Sequence, residues 1–318
     1  MRIAVLTGRR EFALEEVEIP DIAADEVLVQ VAACGVCTSE LEVWDGDGPT
    51  SFPLYLGHEV SGTVVRTGSD VVGLATGDGV GVWVTSRGFA EYVAVKAEYC
   101  RPAGDVPLDL ALAEPLACAA NAVELADVRL GDDVVIVGAG FMGNLVQELV
   151  ALRGPRQVIV ADTRPDALER AGRLGATRVV HVGGESLPDV VSELTGGVGA
   201  DVTFECTGSQ PALVTVGETT RMSGKIVLVG FHQGQDRSIP LAYWNWMAFT
   251  IVNAHFRDVS TIMRGMTVGM RLVESKVLSL RPLVTHRFPL ERIDEAFRTS
   301  RDKPENFVKA TVVFPPGS

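Results

Sequence analysis

Cys37 and the run Gly57-His58-Glu59 offer a thiol, an imidazole and a carboxylate about twenty residues apart, a donor set that can close on one Zn2+. A second signal is Gly138-Ala139-Gly140-Phe141-Met142-Gly143. It follows the apolar run Val134-Val135-Ile136-Val137 and opens a helical pattern, the setting a dinucleotide phosphate site needs. Metal and nicotinamide together point to hydride transfer.

The rest of the chain bounds that reading. At 318 residues it exceeds what one hydrophobic core usually holds, so two domains are expected. Hydrophobic residues at 47% and charged residues at 22% are those of an ordinary globular protein. The formal net charge of −13, with no basic cluster, repels polyanions and excludes nucleic acid as an expected partner. Near the start, Arg9-Arg10 lie behind a short apolar stretch instead of ahead of a secretory core, so no export signal is read. The apolar region Leu108 to Ala126 is interrupted by Asp109, Glu114 and Glu124, so no membrane span is expected. Five cysteines without an export signal suggest reduced thiols and a cytoplasmic location.

The elements that must position these residues change texture near residue 120. Before it, short alternating runs such as Glu26–Val31, Gly62–Val65 and Phe89–Val95 are separated by Gly and Pro turns and read as a β-rich unit. After it, strand and helix alternate: Val134–Val137, Val158–Val160, Val179–Val182, Val202–Phe204, Ile226–Val229 and Thr250–Val252 read as strands. Helices are expected over Phe141–Leu152, Pro165–Leu174 and Pro188–Leu194 and after Pro211. Repeated βαβ units make a doubly wound parallel sheet. From about Asp258 the pattern is helical, and Lys309–Phe314 is a strand that can pair only with the first unit. The fold class is therefore α/β, with residues 1–119 and 257–318 flanking an inserted unit at 120–256.

Gly35-Val36-Cys37-Thr38-Ser39-Glu40, Gly57-His58-Glu59-Val60-Ser61-Gly62, Glu114-Pro115-Leu116 and the glycine turn occur in an order that resembles the zinc-dependent medium-chain dehydrogenases. The resemblance covers nearly the whole chain. It implies a GroES-like catalytic domain joined to a Rossmann cofactor domain, with zinc and nicotinamide meeting in the cleft and a homodimer or homotetramer as the assembly. It implies one catalytic zinc on Cys37 and His58, completed by Glu59 or Glu114 as in the polyol dehydrogenase branch; Cys118, four residues after Glu114, is a softer alternative. Ser39 matches the position whose hydroxyl contacts the substrate oxygen and starts a proton relay; it also suits the N-cap of a helix holding Leu41 and Trp44. Thr38 stands where many relatives carry a basic residue near the cofactor phosphates. Relatives with a second, structural zinc carry a four-cysteine lobe where this chain has only Thr85-Ser86-Arg87-Gly88, so no structural zinc is expected. Cys34 and Cys37 form a Cys-x-x-Cys without the strand and helix context of a redox pair.

In the glycine turn, Gly138 permits a tight bend, Gly140 lets the backbone approach a pyrophosphate, and Gly143 lets the helix pack closely, with Phe141 and Met142 opening that helix. Asp162, nineteen residues beyond Gly143, can accept both ribose hydroxyls of NAD and repel a 2′-phosphate, or it can cap the next helix; Arg164 beside it softens the preference against NADP.

The expected activity is a zinc-dependent transfer of hydride between NAD(H) and a secondary alcohol or ketone of a small polar metabolite: a polyol, sugar or cyclitol. Two alternatives share the scaffold: a reductase of activated double bonds or lyase with transient oxidation, and a non-catalytic dinucleotide-binding protein. Trp44, Trp83, Trp244 and Trp246 read as pocket lining or as packing, and Asp45 and Asp47 as hydroxyl ligands or structural groups. Asn253 and His255 read as structural contacts on or beside the last strand.

Overall fold

Alternation of apolar and polar side chains sets the early elements. In a computed structural model of the chain, which describes residues 1–47 and 51–315, β1 (Arg2–Gly8) and β2 (Glu11–Glu16) form an antiparallel hairpin. Then come β3 (Glu26–Gly35), α1 (Thr38–Trp44), β4 (Glu59–Thr67), β5 (Gly79–Trp83), β6 (Tyr92–Lys96), β7 (Cys100–Pro102) and α2 (Ala113–Ala126). The βα rhythm follows as β8 (Asp133–Val137), α3 (Phe141–Ala151), β9 (Gln157–Asp162), α4 (Pro165–Arg173), β10 (Arg178–His181), α5 (Leu187–Leu194), β11 (Ala200–Glu205), α6 (Gln210–Thr219), β12 (Thr220–Leu228), α7 (Leu241–Trp246) and β13 (Thr250–Asn253). The chain ends with α8 (Val259–Glu274), β14 (Val284–Pro289), α9 (Ile293–Asp302) and β15 (Lys309–Val313). Two compact units result, Met1–Ala117 with Met263–Ser318, and Cys118–Ile262.

The first unit carries a seven-stranded sheet in the order β14-β15-β3-β4-β5-β7, with β6 also on β3. Its late strand β15 runs antiparallel to β3, placing Thr311 opposite Gly35. Against this sheet, Phe297 of α9 is fully buried, with ring centroids 4.9 Å from Phe12, 5.8 Å from Trp44 and 5.6 Å from Phe89. Burying one such side chain stabilises a fold by roughly 2–3 kcal/mol, so α9 anchors the returning segment that β15 extends.

The second unit is a six-stranded sheet ordered β10-β9-β8-β11-β12-β13, every pair parallel. The central strand β8 reads Asp133-Val-Val-Ile-Val137 and is buried throughout, as a parallel strand covered by helices on both faces must be. Strand order reverses between β8 and β11, which opens a crevice at the carboxyl ends of the two strands. Among the described residues no helix is long and apolar enough to cross a membrane.

Candidate metal centre and cofactor site

Antiparallel register builds the metal cluster. β3 ends at Gly35, and Gly35 pairs across the sheet with Glu59, the first residue of β4. A Cβ at Gly35 would lie 2.0 Å from Glu59 Oε2 and 3.0 Å from Lys309 Cε; only glycine lets the carboxylate lie over the strand there. At Gly57 φ is +96°, and a Cβ would stand 2.6 Å from Phe89 N. That left-handed turn, natural to glycine, swings His58 toward the end of β3. Cys37 occupies the N-cap of α1. As a result, donor atoms of Cys37, His58 and Glu59 all lie within 4.8 Å of one another.

Two residues given no site role from the sequence hold this cluster. Glu40, buried on α1, accepts from Gly57 N at 2.6 Å and from Cys37 N at 3.4 Å, and its Oε1 lies 3.0 Å from His58 Nδ1. With Nδ1 engaged by a carboxylate, Nε2 is the nitrogen left to bind a metal, the usual way a protein fixes a ligand histidine. Lys309, buried on β15, donates from Nζ to Glu59 Oε1 at 2.6 Å. Burial works against its charge, but the Glu59 carboxylate and the Cys37 sulfur outweigh it and raise its pKa. Burial likewise disfavours a charged His58, yet Glu40 and then Cys37 lift its pKa well above the usual imidazole range. The field at this spot therefore favours positive charge.

That field and the donors suit zinc. Sulfur, imidazole nitrogen and carboxylate oxygen are its protein ligands, and three of them leave a fourth position open, as a catalytic site requires. Glu59 Oε2 is buried and accepts no hydrogen bond among the described residues, so one oxygen of the pair with Lys309 stays available. Glu114, on the first turn of α2, is not part of the cluster, and Cys118 lies four residues further along the same helix. Ser39 Oγ donates to Cys37 Sγ at 3.2 Å. Ser39 lies inside α1, and Cys37 takes the N-cap role that the sequence offered to Ser39.

The cofactor turn is more local. Gly138 has φ +104°, and a Cβ on Gly143 would meet Gly138 O at 1.7 Å, whereas a Cβ on Gly140 meets nothing within 4 Å. The first and third glycines therefore serve the bend and the helix contact, while the second leaves open space beside the backbone where a pyrophosphate fits. Phe141 and Met142 begin α3 behind the Gly140 N-cap. Asn144 Nδ2 donates to Ala139 O and Gly140 O and stiffens the turn. Asp162 ends β9 and accepts from Ala139 N at 2.7 Å and Arg164 N at 2.8 Å; Arg164 is itself the N-cap of α4.

Residues 23–105 match the alcohol dehydrogenase GroES-like domain, and residues 142–275 match the zinc-binding dehydrogenase family. Sorbitol dehydrogenase of Ovis aries is 32% identical, the alignment spanning 93% of this chain and 92% of that protein. The chain belongs to the zinc-dependent medium-chain dehydrogenase family. Galactitol-1-phosphate dehydrogenase from Escherichia coli superposes with a TM-score of 0.86 at 25% identity, covering 99% of this chain and 100% of that one. An oxidoreductase/dehydrogenase of unknown specificity from Escherichia coli gives 0.90 at 25%, covering 99% of each. This medium-chain dehydrogenase is thus a zinc-type oxidoreductase of alcohols, with a GroES-like unit and a Rossmann-like parallel-sheet unit.

Of the aromatic candidates for pocket lining, Trp83 stands opposite Glu59 in the β4–β5 register. Trp44 and Trp244 are core residues, and Trp83 stacks edge-on with Tyr99 at 4.9 Å, while Trp246 is 77% exposed. Asp45 is buried between Arg10 and Arg301. His255 Nε2 lies 3.2 Å from Gly230 O, just past β13. Sequence reasoning missed Glu40 and Lys309. The spacing Cys37-x-x-Glu40, an N-cap followed three residues later by glutamate, was a readable helix-start signal; nothing local marks Lys309.

Proposed function

We propose that the enzyme transfers hydride between NAD(H) and a secondary alcohol or ketone of a small polar metabolite, a polyol, sugar or cyclitol, with one zinc held by Cys37, His58 and Glu59. The cluster carries this reading: three different donors within 4.8 Å, with Glu59 Oε2 accepting no hydrogen bond among the described residues. A zinc ion held there would make the alcohol hydroxyl more acidic, and NAD would be the hydride acceptor. Cys37 and Glu59 supply the negative charge that retains a dication, and Glu40 keeps the His58 ring turned toward it. Lys309 offsets one of those charges. Ser39 Oγ, beside the sulfur, would accept the substrate's hydroxyl proton as it passes its own proton on toward solvent. The sorbitol and galactitol-1-phosphate dehydrogenases among the similar proteins support a polyol-like substrate.

Asp162 supports NAD over NADP, since a carboxylate at the end of β9 repels a 2′-phosphate. Arg164 faces carboxylates too, with Asp162 and Asp166 each 3.9 Å from its guanidinium. An absorbance screen of NAD and NADP reduction over alcohols, polyols, sugars and cyclitols, run with elemental zinc analysis, tests the proposal. It expects one zinc per chain and faster turnover with NAD; activity without metal, or a preference for NADP, overturns it.

A further inference from the structure

At the carboxyl ends of β11 and β12, Glu205 is wholly buried and gathers an unusual number of donors. Its Oε1 accepts from Thr207 N at 2.7 Å, from Gly208 N at 3.0 Å and from Thr207 Oγ1. Its Oε2 lies 2.9 Å from His232 Nε2. On the far side of that ring, Arg237 Nε donates to His232 Nδ1 at 3.4 Å, while its Nη2 donates to both Gly208 O at 3.3 Å and Gln233 O at 3.1 Å. A guanidinium can only donate, so Nδ1 accepts and the ring proton sits on Nε2, facing the carboxylate. Gly208 is consequently held at both backbone atoms, its N–H by Glu205 and its C=O by Arg237.

The loops so joined touch backbone to backbone. A Cβ on Gly230 would lie 2.2 Å from Gly208 N, and one on Gly208 would lie 2.6 Å from Phe231 O. The turn Cys206–Gly208 also abuts the cofactor turn, where a Cβ on Gly138 would meet Thr207 Cγ2 at 2.7 Å. In a doubly wound sheet a dinucleotide lies across the switch point. With Asp162 marking the adenosine side on β9, the second mononucleotide half falls over β11 and β12.

We infer that Glu205, His232 and Arg237 form a positioning triad that fixes the 206–208 and 229–233 loops as a preformed seat for the nicotinamide half of the cofactor. None of the three belongs to the residues assigned above to the metal cluster or to the adenosine end, so removing the triad should loosen one end of the ligand alone. This inference rests on the dinucleotide reading above.

The test compares NADH with ADP-ribose, which lacks nicotinamide, by calorimetric titration of the zinc-loaded enzyme. His232→Phe keeps an aromatic ring, somewhat larger, but loses both hydrogen bonds, and should raise the NADH dissociation constant about tenfold while moving that of ADP-ribose less than about twofold. His232→Gln can donate to Glu205 and accept from Arg237, and should stay near wild type. Arg237→Leu, at a half-buried site, should move the NADH to ADP-ribose ratio in the same direction, and it decides the matter if His232→Phe does not fold. Equal weakening of both ligands, or no change in either, overturns the triad's role. Wild-type enzyme that binds neither ligand removes the cofactor reading as well, so the two failures are told apart.

Discussion

The metal cluster and the cofactor turn solve positioning in opposite ways. Gly138 to Gly143 are contiguous, and their turn is set by a left-handed glycine and a helix that starts at once behind it. The metal cluster instead draws on the end of β3, the start of β4, α1 and, 250 residues beyond Glu59, Lys309 of β15. A local turn is shaped by its own backbone preferences. A cluster drawn from distant strands exists only once the whole sheet has formed, so its chemistry and the stability of the first unit are coupled.

Substitutions can break or sharpen that contrast. Cys37→Ala should cut turnover by roughly three orders of magnitude or more, the loss of several kcal/mol of charge stabilisation, and lower the zinc content. NADH binding, measured by fluorescence, should survive; its loss would show that the two sites are not independent. Lys309→Met leaves Glu59 buried without its counter-charge and should destabilise the enzyme by about 3–5 kcal/mol in urea unfolding. The double variant with Glu59→Gln should recover part of that loss, and additive losses would contradict the pairing.

In the cofactor turn, Gly143→Ala drives a methyl into Gly138 O and should cost about 1–3 kcal/mol of stability. Gly140→Ala meets only open space, so it should leave stability unchanged and weaken NADH binding; equal effects from the two would refute the division of labour between the glycines. The smallest effect concerns Glu148 on α3, whose pKa burial pushes up from 4.5 to about 7. The folded state thus holds that proton more tightly than the unfolded chain. Stability should fall as pH rises from about 4.5 to 7 and stay lowered above, and Glu148→Gln should recover about 1 kcal/mol at pH 8 after allowance for partial solvent contact. A thermal melt across that range checks it.

Much of the fold was legible. Apolar runs such as Val134–Val137, each followed by a helical pattern, announced a parallel sheet because strand and helix periods differ along the chain itself. The final strand could be assigned to the first unit because no other apolar run was left for it to join. Other features were not legible. Ser39 and Cys37 are both chemically able to cap α1, and only the observed backbone places the cap at Cys37. Trp44 and Trp246 are the same residue type, yet one is 2% exposed and the other 77%.

From sequence alone came the donor types, the glycine turn, the alternation of strands and helices, and the order of motifs that places the chain in its family. These are properties of neighbouring residues, where backbone preference and side-chain period act over a few positions. Tertiary structure alone decided that Glu59 joins Cys37 and His58 while Glu114 does not. It also decided that Glu40 and Lys309 hold that group, and that Glu205 reaches His232. Each of those contacts is set by strand register, helix packing or loop apposition between segments distant in the chain, and local periodicity carries no information about such distances.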